Sequence, residues 1–145
     1  MKVYTIGFTQ KKADAFFGLL EGSAVKRVID VRLNNVSQLA GFAKKPDLEY
    51  FLNRLVQADY IHEPMLAPTK QMLDDYKKKV VTWDQYEEQF MNLITDRKIE
   101  KNVDPELVDG SCLLCSEHQP ECCHRRLVAE YLNDHWGKVE IEHLS

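Results

Sequence analysis

The run VKRVIDVR at residues 25–32 constrains the fold most, because Val28, Ile29 and Val31 leave neither face of an extended segment polar. A strand that is apolar on both faces needs protein on both sides, as in a parallel sheet covered by helices. Similar segments recur along the chain. KVYTIGF at 2–8 and SCLLCSE at 111–117 read as two further strands. DYIHE at 59–63 reads as a short strand before a turn around Pro64 and Pro68, and VEIEH at 139–143 alternates as a last strand.

Helical patterns fill the intervals. Phe16, Phe17, Leu19 and Leu20 fall within a helix expected at 10–21, with Gly22 as its stop. Pro46-Asp47 opens another, with Leu48, Phe51, Leu52 and Leu55 on one stripe, and a lysine-rich helix is expected at 69–79. Thr82 and Gln85 fit a capping box ahead of the stripe Tyr86, Phe90, Leu93 and Ile94. Residues 122–136 carry Leu127, Val128, Tyr131, Leu132 and Trp136 and end at Gly137. The stretch 33–45 has no period and reads as a loop. Strands alternating with helices predict an α/β fold, a mostly parallel sheet flanked by helices on both faces in a Rossmann-like three-layer sandwich. With 145 residues, no linker and no repeat, one domain spanning 1–145 is expected.

All four cysteines fall between Cys112 and Cys123, so they do not spread out as a disulfide framework would. No apolar run reaches the roughly 18 residues that span a bilayer, and MKVYTIGFTQKK lacks the apolar stretch of a secretion signal. A cytoplasmic protein without a membrane partner is expected. The net charge of −4 disfavours a nucleic-acid partner held by a broad basic face. It leaves room for a small anion pocket built from two or three arginines.

Ligands of parallel sheets sit beyond the carboxyl ends of the strands. Three polar clusters fall at such ends: Gly7 to Thr9, Asp30 to Arg32, and Cys115 to Glu117 running into Cys123-His124-Arg125. Asp30 and Arg32 are two apart and project to the same side. They form either a structural ion pair or an anion site, with Arg32 binding the anion while Asp30 orients it or handles a proton. Cys123, His124 and Arg125 stand where the last long helix begins, and its unpaired amides and positive end would hold an anion and lower a thiol pKa. The alternative is a basic turn with thiols packed as small hydrophobes. Asp30, Cys115, Glu117 and His124 are therefore the candidate catalytic residues; Gly7, Thr9, Arg32, Cys123 and Arg125 are the candidate ligand-binding residues.

Cys112, Cys115, His118, Cys122, Cys123 and His124 also invite a zinc reading. On a strand, however, Cys112 and Cys115 are an odd number apart and face opposite sides. No metal and no cofactor are therefore expected, and Cys112 reads as core.

Several of these residues carry a resemblance. Through Thr5-Ile6-Gly7, Asp30-Val31-Arg32, Trp83 with Tyr86, and above all Leu113-Leu114-Cys115-Ser116-Glu117 followed by Cys123-His124-Arg125, the chain resembles the DUF488 proteins. The resemblance continues through the helix Leu127-Val128-Ala129-Glu130-Tyr131-Leu132. It implies a fold and a set of motif residues, but no established reaction. Many relatives carry His-Ser after Thr-Ile-Gly and a proline two residues after Asp-Val-Arg. Here Phe8-Thr9 and Leu33-Asn34-Asn35 stand instead, so no first-loop histidine is available and the loop over the pocket differs in shape.

Three functions compete. The first is binding of, or action on, an anionic small molecule or nucleotide moiety clamped by Arg32 and Arg125. The second is rhodanese-like thiol chemistry at Cys115, although Glu121 stands where a compact Cys-x5-Arg phosphate cradle would place its arginine. The third is a non-catalytic module binding protein or nucleic acid through Lys44-Lys45 and Lys77-Lys78-Lys79, with Phe42, Tyr76 and Trp83 as stacking platforms.

Overall fold

The computed structural model describes residues 1–35, 41–117 and 121–145. Five strands, β1 (Lys2–Gly7), β2 (Arg27–Asp30), β3 (Asp59–His62), β4 (Ser111–Cys115) and β5 (Glu140–Leu144), form one parallel sheet in the order β3-β2-β4-β1-β5. The helices are α1 (Ala13–Glu21), α2 (Lys45–Phe51), α3 (Lys70–Lys77), α4 (Trp83–Asp96), two single-turn helices α5 (Ile99–Asn102) and α6 (Pro105–Val108), and α7 (His124–Trp136). None of the described helices is long and apolar enough to cross a membrane.

From β1 to β3 the chain steps toward one edge of the sheet, and from β3 to β5 it steps toward the other. Right-handed crossovers then put the first two helices on one face and the rest on the opposite face. The core divides accordingly. Phe16, Phe17, Leu20, Leu48 and Leu52 pack on Tyr4, Ile6, Val28, Cys112 and Leu114. Tyr86, Phe90, Ile94, Leu127, Val128 and Leu132 pack on Val3, Ile29, Val31, Leu113 and Cys115. The alternation of side chains along β2 and β4 is thus used on both sides, giving the three-layer, Rossmann-like α/β sandwich that the apolar strands predict. Cys112 and Cys115 lie on opposite faces.

The differences from the sequence reading are local. Gln10 has φ 64° and the first helix begins only at Ala13. The stripe assigned to Leu55 fails: after Phe51 the helix widens into a π turn at Leu52–Val56, ended by Gln57 at φ 58°. The extra residue per turn rotates Leu55 off the core face, where it is exposed. The Thr82–Gln85 capping box is formed from both sides. Part of the 33–45 loop, together with His118 and Pro120, lies outside the described residues.

Candidate active site

Strands β2 and β4 are neighbours whose following connections leave in opposite directions, which opens a crevice at their carboxyl ends. β2 delivers Asp30, Val31 and Arg32 to it; β4 delivers Cys115, Ser116 and Glu117. The start of α7 brings in Cys123 and His124. A cavity of about 180 Å³ occupies the crevice, with Arg32, Cys115, Glu117, Cys123 and His124 in its wall. Tyr76, Trp83, Tyr86, Leu73 and Pro68, from α3, α4 and the segment before them, supply its apolar side.

Cys115 and His124 form the reactive pair. Cys115 Sγ lies 3.5 Å from His124 Nδ1. The other ring nitrogen, Nε2, is 2.7 Å from the carbonyl oxygen of Val31. A carbonyl only accepts, so Nε2 carries the hydrogen, and Nδ1 is the nearer of the two ring nitrogens to the sulfur, which lies 3.9 Å from Nε2. Phe90 packs edge-on against the imidazole at 5.2 Å and fixes its plane. Burial pushes the Cys115 thiol up, but a hydrogen bond from Cys123, the His124 imidazolium and the Arg125 charge together hold it well below the ordinary thiol range. The same pairing raises His124: burial lowers it, and the Cys115 thiolate more than offsets that.

Cys123 behaves in the opposite way. The spacing predicts a thiol lowered by the helix start; instead it caps α7 without a side-chain cap bond, and burial and the neighbouring Cys115 thiolate push it well above the ordinary range. Two adjacent buried thiols cannot both ionise cheaply, and the one facing the imidazole does. Cys112, behind the sheet, is also raised by burial. Cys122 is exposed. Glu117 stands at the cavity mouth, its carboxyl raised by partial loss of water and by the Cys115 thiolate.

Asp30 is fully buried and does not line the cavity. Its Oδ1 accepts from Arg32 Nε at 2.8 Å and from the Arg32 amide at 3.1 Å. Its Oδ2 accepts from Arg32 Nη2 at 2.7 Å and from the Tyr60 hydroxyl at 2.5 Å. With both oxygens doubly engaged, Asp30 is placed to hold Arg32. Arg32 is 3% exposed, lines the cavity, and its buried Nη1 has no partner among the described residues. The Phe8 ring lies 5.2 Å beneath the guanidinium.

Three candidates stand behind the wall. Arg125 is fully buried and donates from Nη1 to the Glu117 carbonyl at 2.6 Å. Gly7 pairs in register with Cys115, and a Cβ there would land on that same Glu117 carbonyl and 2.9 Å from Arg125 Nη1. Thr9 is exposed and donates its amide to the Ser116 carbonyl at 3.0 Å. These residues shape the 115–117 turn and do not face the cavity. Of the aromatics expected as stacking platforms, Phe42 sits against Phe16 and Phe17, while Tyr76 and Trp83 cluster with Tyr86 in the cavity wall.

A family comparison covers most of the chain. The profile described as domain of unknown function DUF488 matches residues 12–132. The chain belongs to the DUF488 family. The matched stretch of this DUF488 domain holds Asp30-Val31-Arg32, the Cys115 turn and Cys123-His124-Arg125, whereas Thr5-Ile6-Gly7 precedes it. No curated protein and no solved structure matches the chain. Sequence reasoning missed Tyr60 and the Val31 carbonyl, which act only through contacts distant in sequence. It also missed the cavity wall formed by α3, although the Tyr76, Trp83 and Tyr86 cluster carried a signal.

Proposed function

We propose that this DUF488 domain is a cysteine-dependent enzyme acting on a small electrophile that carries an anionic group. The observation that carries the reading is the Cys115 Sγ to His124 Nδ1 approach at 3.5 Å, with the imidazole's other nitrogen committed to Val31. In this reading the Cys115 thiolate gives its electron pair to the electrophilic atom, the bond to the leaving group breaks, and that group departs with the bonding pair. His124 then delivers its Nδ1 proton to the leaving group. The free Nη1 of Arg32 receives the substrate anion, and the Tyr76–Trp83–Tyr86 wall packs against its apolar part. The anion-binding reading and the thiol reading of the sequence thus describe two halves of one pocket.

The test compares two small alkylating agents on the purified chain, with each cysteine followed by peptide mass spectrometry. Iodoacetate carries a carboxylate and iodoacetamide does not. Cys115 is expected to be alkylated faster than exposed Cys122 near neutral pH. Its iodoacetate-to-iodoacetamide rate ratio is expected to exceed that of glutathione. Labelling confined to Cys122, with Cys115 inert to both reagents, overturns the proposal.

A further inference from the structure

We infer that Cys115 and Cys123 form a dithiol couple that reduces a small hydroperoxide and closes into a disulfide. The inference rests on Cys115 as the nucleophile of the proposed function, but on neither the anionic group nor the apolar wall. The two sulfurs lie within 4.8 Å of each other, and both residues are buried in the wall of one cavity. Cys123 already hydrogen-bonds the Cys115 sulfur. A disulfide needs its sulfurs about 2.05 Å apart, and a rotation between staggered wells displaces a cysteine sulfur by roughly 3 Å. Side-chain rotation therefore gives a step of the size needed. The other two cysteines are placed differently. Cys112 packs on the opposite face of the sheet from Cys115, and Cys122 is exposed.

A second thiol beside a nucleophilic one is useful only for particular adducts. A carbon adduct of Cys115 is a thioether, which a thiol does not displace. A sulfenic acid condenses with a neighbouring thiol to a disulfide. The pair thus points to a substrate that leaves Cys115 oxidised, and a cavity of about 180 Å³ has room for a small hydroperoxide.

With hydrogen peroxide, the Cys115 thiolate gives an electron pair to one peroxide oxygen and the O–O bond breaks. The released hydroxide takes the imidazolium proton of His124 and leaves as water. The Cys123 sulfur then attacks the Cys115 sulfur, the S–O bond breaks, and the second hydroxide leaves with the Cys123 proton as water. The two sulfurs lose two electrons and the peroxide gains them; an external dithiol restores both thiols by exchange. The charges set the order of these steps. The Cys115 thiolate holds Cys123 protonated, whereas a sulfenic acid carries no charge and leaves the Arg125 charge to favour the Cys123 thiolate. Cys123 is thus released to attack only after Cys115 has reacted.

The test treats the full chain, reduced with dithiothreitol and then freed of it, with a small excess of hydrogen peroxide. Cleavage after Glu117 and Glu121 puts Cys115 and Cys123 on separate peptides. Without reduction these peptides are expected to stay joined, with mass spectrometry locating the link between Cys115 and Cys123. Cys123→Ser should instead leave a sulfenic acid at Cys115 that dimedone traps, while Cys122→Ser should form the same link as wild type. Circular dichroism checks that both variants fold. With dithiothreitol present, peroxide consumption should fall at least tenfold in Cys115→Ser. A wild-type chain without the Cys115–Cys123 link, whether its oxidation is confined to Cys122 or stops as a sulfenic acid at Cys115, overturns the couple. If Cys115 of that chain still alkylates rapidly, the proposed function stands alone. A Cys115–Cys123 link in a protein whose Cys115 resists both haloacetate reagents upholds the couple and overturns the proposed function.

Discussion

Arg32 closes a two-point fork on Asp30, Nε to Oδ1 at 2.8 Å and Nη2 to Oδ2 at 2.7 Å, and both side chains are buried. The two residues are neighbours along β2 and just beyond it, so the fork is local in sequence, but its burial comes from the rest of the fold. Removing one partner strands a buried charge. Asp30→Ala is expected to destabilise the protein by about 3–5 kcal/mol. Tyr60→Phe, which removes one hydrogen bond to a charged oxygen, should cost about 1.5–3 kcal/mol. Urea denaturation of both variants checks the order; an Asp30→Ala chain as stable as wild type would contradict it.

The second prediction concerns pH. The thiolate of Cys115 forms as pH rises through a value well below the ordinary thiol range, so its alkylation should already be fast at neutral pH. In His124→Gln the imidazolium is lost, so the acid limb should move up toward the ordinary thiol range and the labelling rate at pH 7 should fall roughly tenfold or more. The rate profile between pH 5 and 10, read by mass spectrometry, is the measurement. Profiles that superimpose would remove His124 from its role.

Arg125 acts on the same profile from outside the cavity. Its charge helps to hold the Cys115 thiol down, and its Nη1 holds the Glu117 carbonyl at 2.6 Å. Arg125→Met should raise the acid limb of Cys115 labelling and cost about 1.5–3 kcal/mol of stability. Since Arg125 does not line the cavity, the preference of Cys115 for iodoacetate over iodoacetamide should be largely retained. Loss of that preference in a folded variant would show that Arg125 meets the anion directly.

Gly7 tests the packing of the two strand ends. A methyl group at this position has no room beside the Glu117 carbonyl and Arg125 Nη1. Because one of those obstacles is backbone, the strand ends must separate. Gly7→Ala is expected to lose about 1–3 kcal/mol, the usual range for an overfilled core, and to slow Cys115 labelling by displacing the turn that carries it. Thermal unfolding and labelling should change together. A variant with wild-type values of both would mean that the turn gives way without effect.

Much of the fold is legible along the chain because its signals are local. Val28, Ile29 and Val31 demand cover on both faces, Thr82 and Gln85 cap each other three residues apart, and Gly137 ends α7. The same period-two rule separates Cys112 from Cys115. The site is legible as a set of strand-end residues but not as an arrangement. His124 meets the Val31 carbonyl across 93 positions, and Tyr60 reaches Asp30 across 30. No periodicity encodes either contact.

The sequence by itself determined which residues stand at the carboxyl ends of the parallel strands. That follows from side-chain alternation and strand length, which depend on a few neighbours each. Only the tertiary structure decided their roles. Burial and mutual distance made Cys115 the lowered thiol and Cys123 the raised one, placed Arg32 in the cavity wall, and put Arg125 behind it. Proton affinity and ligand access depend on the charges and solvent around a group, and these are set by packing between segments far apart in the chain.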